Sequence, residues 1–143
     1  MKKIFIICLC IVLSAGFAGC KGAGDSPDTG DDILDLTMLS GIMVYSEVYN
    51  MMMKPEDYIG RTVKMQGAFS VFYEDSTGRY YFSCIIADAT ACCSQGIEFE
   101  LAGNFSFPED YPEEGAEITV TGTFDTYAEG QFTYCVLRNA ALE

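Results

Sequence analysis

The chain has 143 residues, half of them hydrophobic, with 8 Lys and Arg against 21 Asp and Glu, no histidine and a formal charge of −13. That apolar content suits one packed core rather than disorder, and the acidity repels phosphate backbones and anionic lipid headgroups, so nucleic acid is not expected as a partner. Without histidine the usual Ser-His-Asp and Cys-His arrangements and His-rich catalytic zinc sites are unavailable, and no enzymatic activity is expected.

In chain order the first feature is a leader. Lys2 and Lys3 precede a hydrophobic run over residues 4–13, and small residues lead up to Cys20. The run falls short of the about 20 apolar residues a spanning helix needs, which favours a cleaved targeting segment, residues 1–19. Phe17-Ala18-Gly19-Cys20 resembles the lipid-attachment motif of bacterial lipoproteins, with phenylalanine where that family usually has leucine. The resemblance implies a signal peptide ending at Gly19 and a Cys20 that carries fatty acyl chains such as palmitate, as a diacylglyceryl group. It also implies an extracytoplasmic protein lipid-anchored to the bacterial cell membrane. The rival is ordinary secretion, with Gly16 and Ala18 as the small residues of a conventional cleavage site. Cysteine arithmetic favours the anchor. Beyond the leader stand Cys20, Cys84, Cys92, Cys93 and Cys135, an odd set for an exported chain. With the leader gone, 6 basic residues face 21 acidic ones, a formal charge of −15.

Residues 20–32 read as the lipidated cysteine followed by a flexible acidic tether. Asp25, Asp28, Asp31 and Asp32 lack the alternating spacing of a calcium loop. Residues 33–57 are an apolar segment whose helical part is expected to begin after Ser40, as N-cap, and to end near Lys54 because Pro55 follows. Tyr45, Val48, Tyr49 and Met52 recur at helical spacing and are expected to pack, leaving Ser46, Glu47 and Asn50 wet. Met38, Met43 and the run Met51-Met52-Met53 read as adaptable core filler rather than metal ligands.

Residues 58–143 carry an approximate repeat. Gly60, Val63, Met65, Gly67 and Phe69 align with Gly115, Ile118, Val120, Gly122 and Phe124. Each copy alternates apolar and polar residues around a mid-strand glycine, which marks a bend or bulge. Each leads into a hairpin: a turn over residues 74–78 before an aromatic strand at 79–87, and a turn over 128–130 before a strand at 131–137. Ile97, Phe99 and Leu101 alternate in a further short strand, and residues 104–115 form a long acidic connection. Tyr58 to Gly67 and Glu114 to Gly122 resemble the first and fourth strands of OB-fold domains in bacterial envelope proteins. The expected fold is mainly β, a small five-stranded OB-like Greek-key barrel preceded by one α-helix. Since no helix is evident between its third and fourth strands, the apolar segment before Tyr58 is expected to plug the barrel.

Chemistry-bearing residues are few. Cys84, Cys92, Cys93 and Cys135 are candidates for disulfides in an oxidising compartment, and an unpaired one would serve as a small core residue. Cys92 and Cys93, on a compact loop, are alternatively a thiolate site for zinc or copper. No other cofactor is expected. Tyr80, Tyr81 and Tyr127 are the candidate contact residues for a small ligand or a protein neighbour. The expected function is therefore a membrane-anchored, non-catalytic OB-like binding protein, with an envelope metal-handling accessory protein as the alternative.

Overall fold

Alternation along the chain decides which side chains the barrel encloses. In β2 (Thr62–Glu74), Val63, Met65 and Phe69 are buried, whereas Gln66, Ala68 and Phe72 face outward. The same period of two puts Cys84 and Ile86 of β3 (Arg79–Ala87) and Ile97 and Phe99 of β4 (Ser94–Leu101) inside. Ile118, Val120 and Phe124 of β5 (Glu117–Glu129) join them, with Leu137 and Ala140 of β6 (Phe132–Leu142). The computed structural model describes residues 33–90 and 92–143; the leader, Cys20 and segment 20–32 lie outside the described residues.

These five strands close into a ring, β2-β3-β4-β6-β5 and back to β2. All pairings in the ring are antiparallel except β4 with β6, which run parallel. This is the predicted mainly β, OB-like barrel with one helix. A two-residue β1 (Leu34–Asp35), which the sequence reading did not include, lies parallel to the start of β2.

The two copies of the repeat face each other. β2 and β5 pair antiparallel, with Val63 opposite Gly122 and Gly67 opposite Ile118. β2 pairs with β5 from Thr62 to Ala68 and with β3 from Ala68 to Glu74, so it changes partners beside Gly67. A side chain there has no room. A Cβ on Gly67 would collide with the Ile85 carbonyl oxygen and come within 2.8 Å of Ile86 Cδ1. Gly122 is similarly confined by Leu137 and the Arg138 carbonyl, each 3.0 Å from its would-be Cβ, next to a register shift between Thr121 and Thr123.

The helix α1 (Gly41–Met53) starts after Ser40, which occupies the N-cap without a side-chain hydrogen bond, and Lys54 ends it before Pro55. Val48 and Met51 are fully buried in the same core as Phe69 and Phe99, and Val44 packs beside them. Burying each of the two is worth about 1.5–3 kcal/mol. Tyr49 and Met52, expected to pack, are exposed instead. The inward face is one step round the helix, centred on Val44, Val48 and Met51. Between β4 and β5 the chain forms no helix; its Phe107 and Tyr111 rings lie 5.5 and 4.0 Å from that of Phe82.

Gly67→Ala should destabilise the barrel by about 1–3 kcal/mol, because the obstacle is backbone rather than a movable side-chain end. Urea unfolding should show a lower midpoint. Gly130→Ala, whose Cβ meets open space but whose φ is +62°, should cost about 1 kcal/mol through backbone strain alone.

Candidate functional site

Outward-facing residues of the two hairpins converge on a groove of about 450 Å³, lined by Phe72, Glu74, Tyr81, Glu98, Tyr127, Glu129 and Tyr134 among others. Register explains the convergence. Phe72 sits opposite Tyr81 across the β2–β3 hairpin, and Tyr127 sits opposite Tyr134 across β5–β6. The Tyr127 and Tyr134 rings stack with centroids 5.4 Å apart. The hairpin tips and the sheet between them are where OB-folds hold their ligands.

The groove is acidic and its tyrosines are tied to its acids. Tyr127 Oη donates to Glu98 Oε2 at 2.6 Å, and Tyr81 Oη donates to Glu129 Oε1 at 3.0 Å. Burial, then these bonds, raise both phenols above their ordinary value. Burial also pushes the Glu98 carboxyl above the usual range, against the opposing pull of the Tyr127 hydroxyl. Glu98 is half-buried and has no Lys or Arg within ion-pairing distance among the described residues. The rings already attract cations from the chain itself. Arg79 lies over Tyr81 at 5.2 Å, and Arg138 over Tyr127 at 5.7 Å.

Tyr80 is on the other face of β3, 4.7 Å from the Tyr73 ring and 4.8 Å from Phe107. It meets Tyr81 and Tyr127 only along a smaller adjoining cleft of about 250 Å³. Of the three predicted contact residues the groove therefore gathers Tyr81 and Tyr127. Phe72, Tyr134, Glu98 and Glu129 were not foreseen, although counting outward from each hairpin turn places the four aromatic residues in opposed pairs. Another depression, of about 470 Å³, includes Glu100, Asp125 and Arg138. Its charges satisfy one another, since Arg138 pairs with both acids.

The four cysteines considered for disulfides are all free. Cys84 is core, and burial raises its thiol to about 12. Half-buried Cys135 points its sulfur at the Met51 carbonyl, 3.9 Å away. Cys92 and Cys93 are exposed on the β3–β4 connection with sulfurs 3.5 Å apart. Asp88, which opens the loop read from the sequence as the candidate site but was not named there as a ligand, brings Oδ2 to 3.3 Å from Cys92 Sγ. The three ligand atoms lie within 4.8 Å of one another. The Cys92 thiol is the main cause holding the Asp88 carboxyl below its ordinary value, and its hydrogen bond with Cys93 the main cause raising the Cys93 thiol.

No protein-family model matches the chain, and no curated protein does. Among solved structures, the chain is similar to a protein from Klebsiella pneumoniae subsp. pneumoniae MGH 78578, described provisionally as a nucleic acid-binding lipoprotein. The two are 18% identical, with a TM-score of 0.42, over 78% of this chain and 91% of that one. A likeness at this level carries no argument about what this chain binds. That description nevertheless runs against the expectation that nucleic acid is not a partner, and the exclusion is corrected and not carried forward. Net charge is a sum over the whole chain, whereas aromatic stacking on single strands acts locally.

Stability carried by Glu98 is complete below the ordinary glutamate value and declines as pH rises through its raised folded value. Tyr127→Phe removes the donor that favours the charged form, so it should steepen this decline and cost about 1–2 kcal/mol at neutral pH, given the partial exposure. Glu98→Gln should flatten it. Urea unfolding across about pH 4–8 measures both.

Proposed function

We propose that this protein is an extracytoplasmic lipoprotein, anchored through Cys20, whose barrel is a non-catalytic binding module for an organic cation carried by a small molecule or a protein neighbour. The observation that carries the binding reading is the half-buried carboxylate of Glu98, hydrogen-bonded to Tyr127 but with no Lys or Arg at ion-pairing distance among the described residues, beside Tyr81 and Glu129. A carboxylate kept partly from water favours a cation that replaces the lost solvation, and tyrosine faces attract the same charge. The volume suits a small ligand or one side chain. The motif ending at Cys20 supports the anchor, and the tyrosines and glutamates have neither a histidine nor an activated nucleophile beside them to suggest catalysis.

Isothermal titration of the full processed chain with spermidine and with a lysine-rich peptide tests this reading. Binding should weaken about tenfold on Glu98→Gln, a loss of roughly 1.4 kcal/mol, and should fall with salt. Binding unchanged in that variant, or a preference for a single-stranded oligonucleotide over both cations, overturns it.

A second reading, an envelope accessory protein that handles zinc or copper through cysteine thiolates, draws support from the approach of Asp88 to Cys92 and Cys93. Two soft sulfurs and a carboxylate suit zinc, and the sulfurs alone suit cuprous copper. Titration under reducing conditions should give one zinc per chain, weakened by Asp88→Ala and abolished by Cys92→Ser with Cys93→Ser. Metal-free protein after zinc exposure and desalting overturns this reading.

A further inference from the structure

Helix α1 carries large apolar side chains on the side away from the core as well as toward it, interrupted on the outer side by Ser46, although the chain is strongly acidic. Val44, Val48 and Met51 face the core. On the opposite side Ile42, Tyr49 and Met53, at helical spacings of seven and four, are 67%, 49% and 61% exposed. Only one charged residue, Glu47, occurs in α1, and its carboxylate accepts a 2.8 Å hydrogen bond from Tyr58. A solvated helix facing water normally carries several charges, and an exposed apolar ridge of this kind marks an interaction surface. In the preceding 3-10 turn Met38 is 81% exposed.

The occupant follows from where the ridge stands in the chain. Twelve residues, 21–32, separate Cys20 from Ile33, and α1 begins eight residues after that. Thirteen steps of chain span at most about 45 Å. A domain fixed to a bilayer at Cys20 therefore has α1, eight residues beyond Ile33, within reach of the lipid surface. Within that zone the charged part of the sequence ends, and isoleucine, methionine and tyrosine follow; tyrosine is enriched at the headgroup level of membranes.

Resting on the anchor at Cys20 proposed above, we infer that the Ile42–Tyr49–Met53 ridge of α1 docks on the lipid bilayer. The lipid on Cys20 brings the domain to the surface, and the ridge seats it in the headgroup region with α1 along the interface. The barrel then has a set orientation, with its helical side to the membrane. Because the mature chain carries a formal charge of −15, 6 basic against 21 acidic residues, a zwitterionic surface is favoured over an anionic one.

The chain has no tryptophan, so Tyr49→Trp supplies a single fluorophore on the ridge. Phe105→Trp, exposed in the connection between β4 and β5, supplies one outside α1. Each full chain, processed and lipidated in a bacterial host, is placed in phosphatidylcholine vesicles with and without brominated acyl chains. Docking requires a blue-shifted emission and several-fold stronger quenching for Tyr49→Trp than for Phe105→Trp, reduced when phosphatidylglycerol is added at low salt. Anchored protein with equal or no quenching overturns the docking. So does a blue shift that follows protein density rather than lipid, which assigns the ridge to a second copy. A Cys20→Ser chain that keeps lipid labelling and vesicle association overturns the anchor reading instead.

Discussion

The contact between β2 and β3 at Gly67 is the constraint on which the rest of the molecule depends. Because a hydrogen atom stands where a methyl group would strike the Ile85 carbonyl, β2 can bend and hand its pairing from β5 to β3 within two residues. That handover turns a sheet into a ring. The ring encloses Phe69, Phe99 and Phe124 with the α1 residues Val48 and Met51, and it brings the two hairpins close enough to share a groove.

Electrostatics follow from the same curvature. The barrel wall bears most of the ionic contacts between elements: Lys64 of β2 with Glu143 beyond β6, and Arg138 of β6 with Glu100 of β4 and Asp125 of β5. These pairs are largely exposed and individually worth little. Glu98 differs because it faces the aromatic groove, where its partner is a phenol rather than a cation. The acidic composition is thus distributed unevenly. It is partly neutralised on the wall, where Arg138 and Lys64 stand, and reaches the groove as Glu74, Glu98 and Glu129, the last 3.8 Å from Arg79, while α1 carries only Glu47.

Much of the fold was legible because the first halves of β2 and β5 alternate in register with each other. Val63, Met65 and Phe69 and their counterparts in β5 give a period of two that no helix imitates, and a glycine in mid-strand has few other uses. The helix boundaries were legible from Ser40 and Pro55. The inward face of α1 was not, because isoleucine, methionine, valine and tyrosine occur all round it, and composition cannot say which apolar side meets the core. Tyr81 and Tyr127 were candidates from the aromatic strand and the hairpin tip, and the structure places both in the lining of one groove. Tyr80 was separated from them by strand alternation, and Glu98 by a burial that depends on neighbours 29 residues away. The disulfide expectation took cysteine number as a proxy for proximity. Barrel geometry instead gives Cys84 to the core and leaves Cys92 and Cys93 on an outer loop.

The β5–β6 hairpin joins the ring on both flanks, β5 to β2 and β6 to β4. It is the keystone of the arch. Until residues 117–142 have emerged, the β2–β3–β4 meander keeps two raw edges of unpaired amides and carbonyls. A chain halted before its final hairpin therefore offers those edges to a foreign strand.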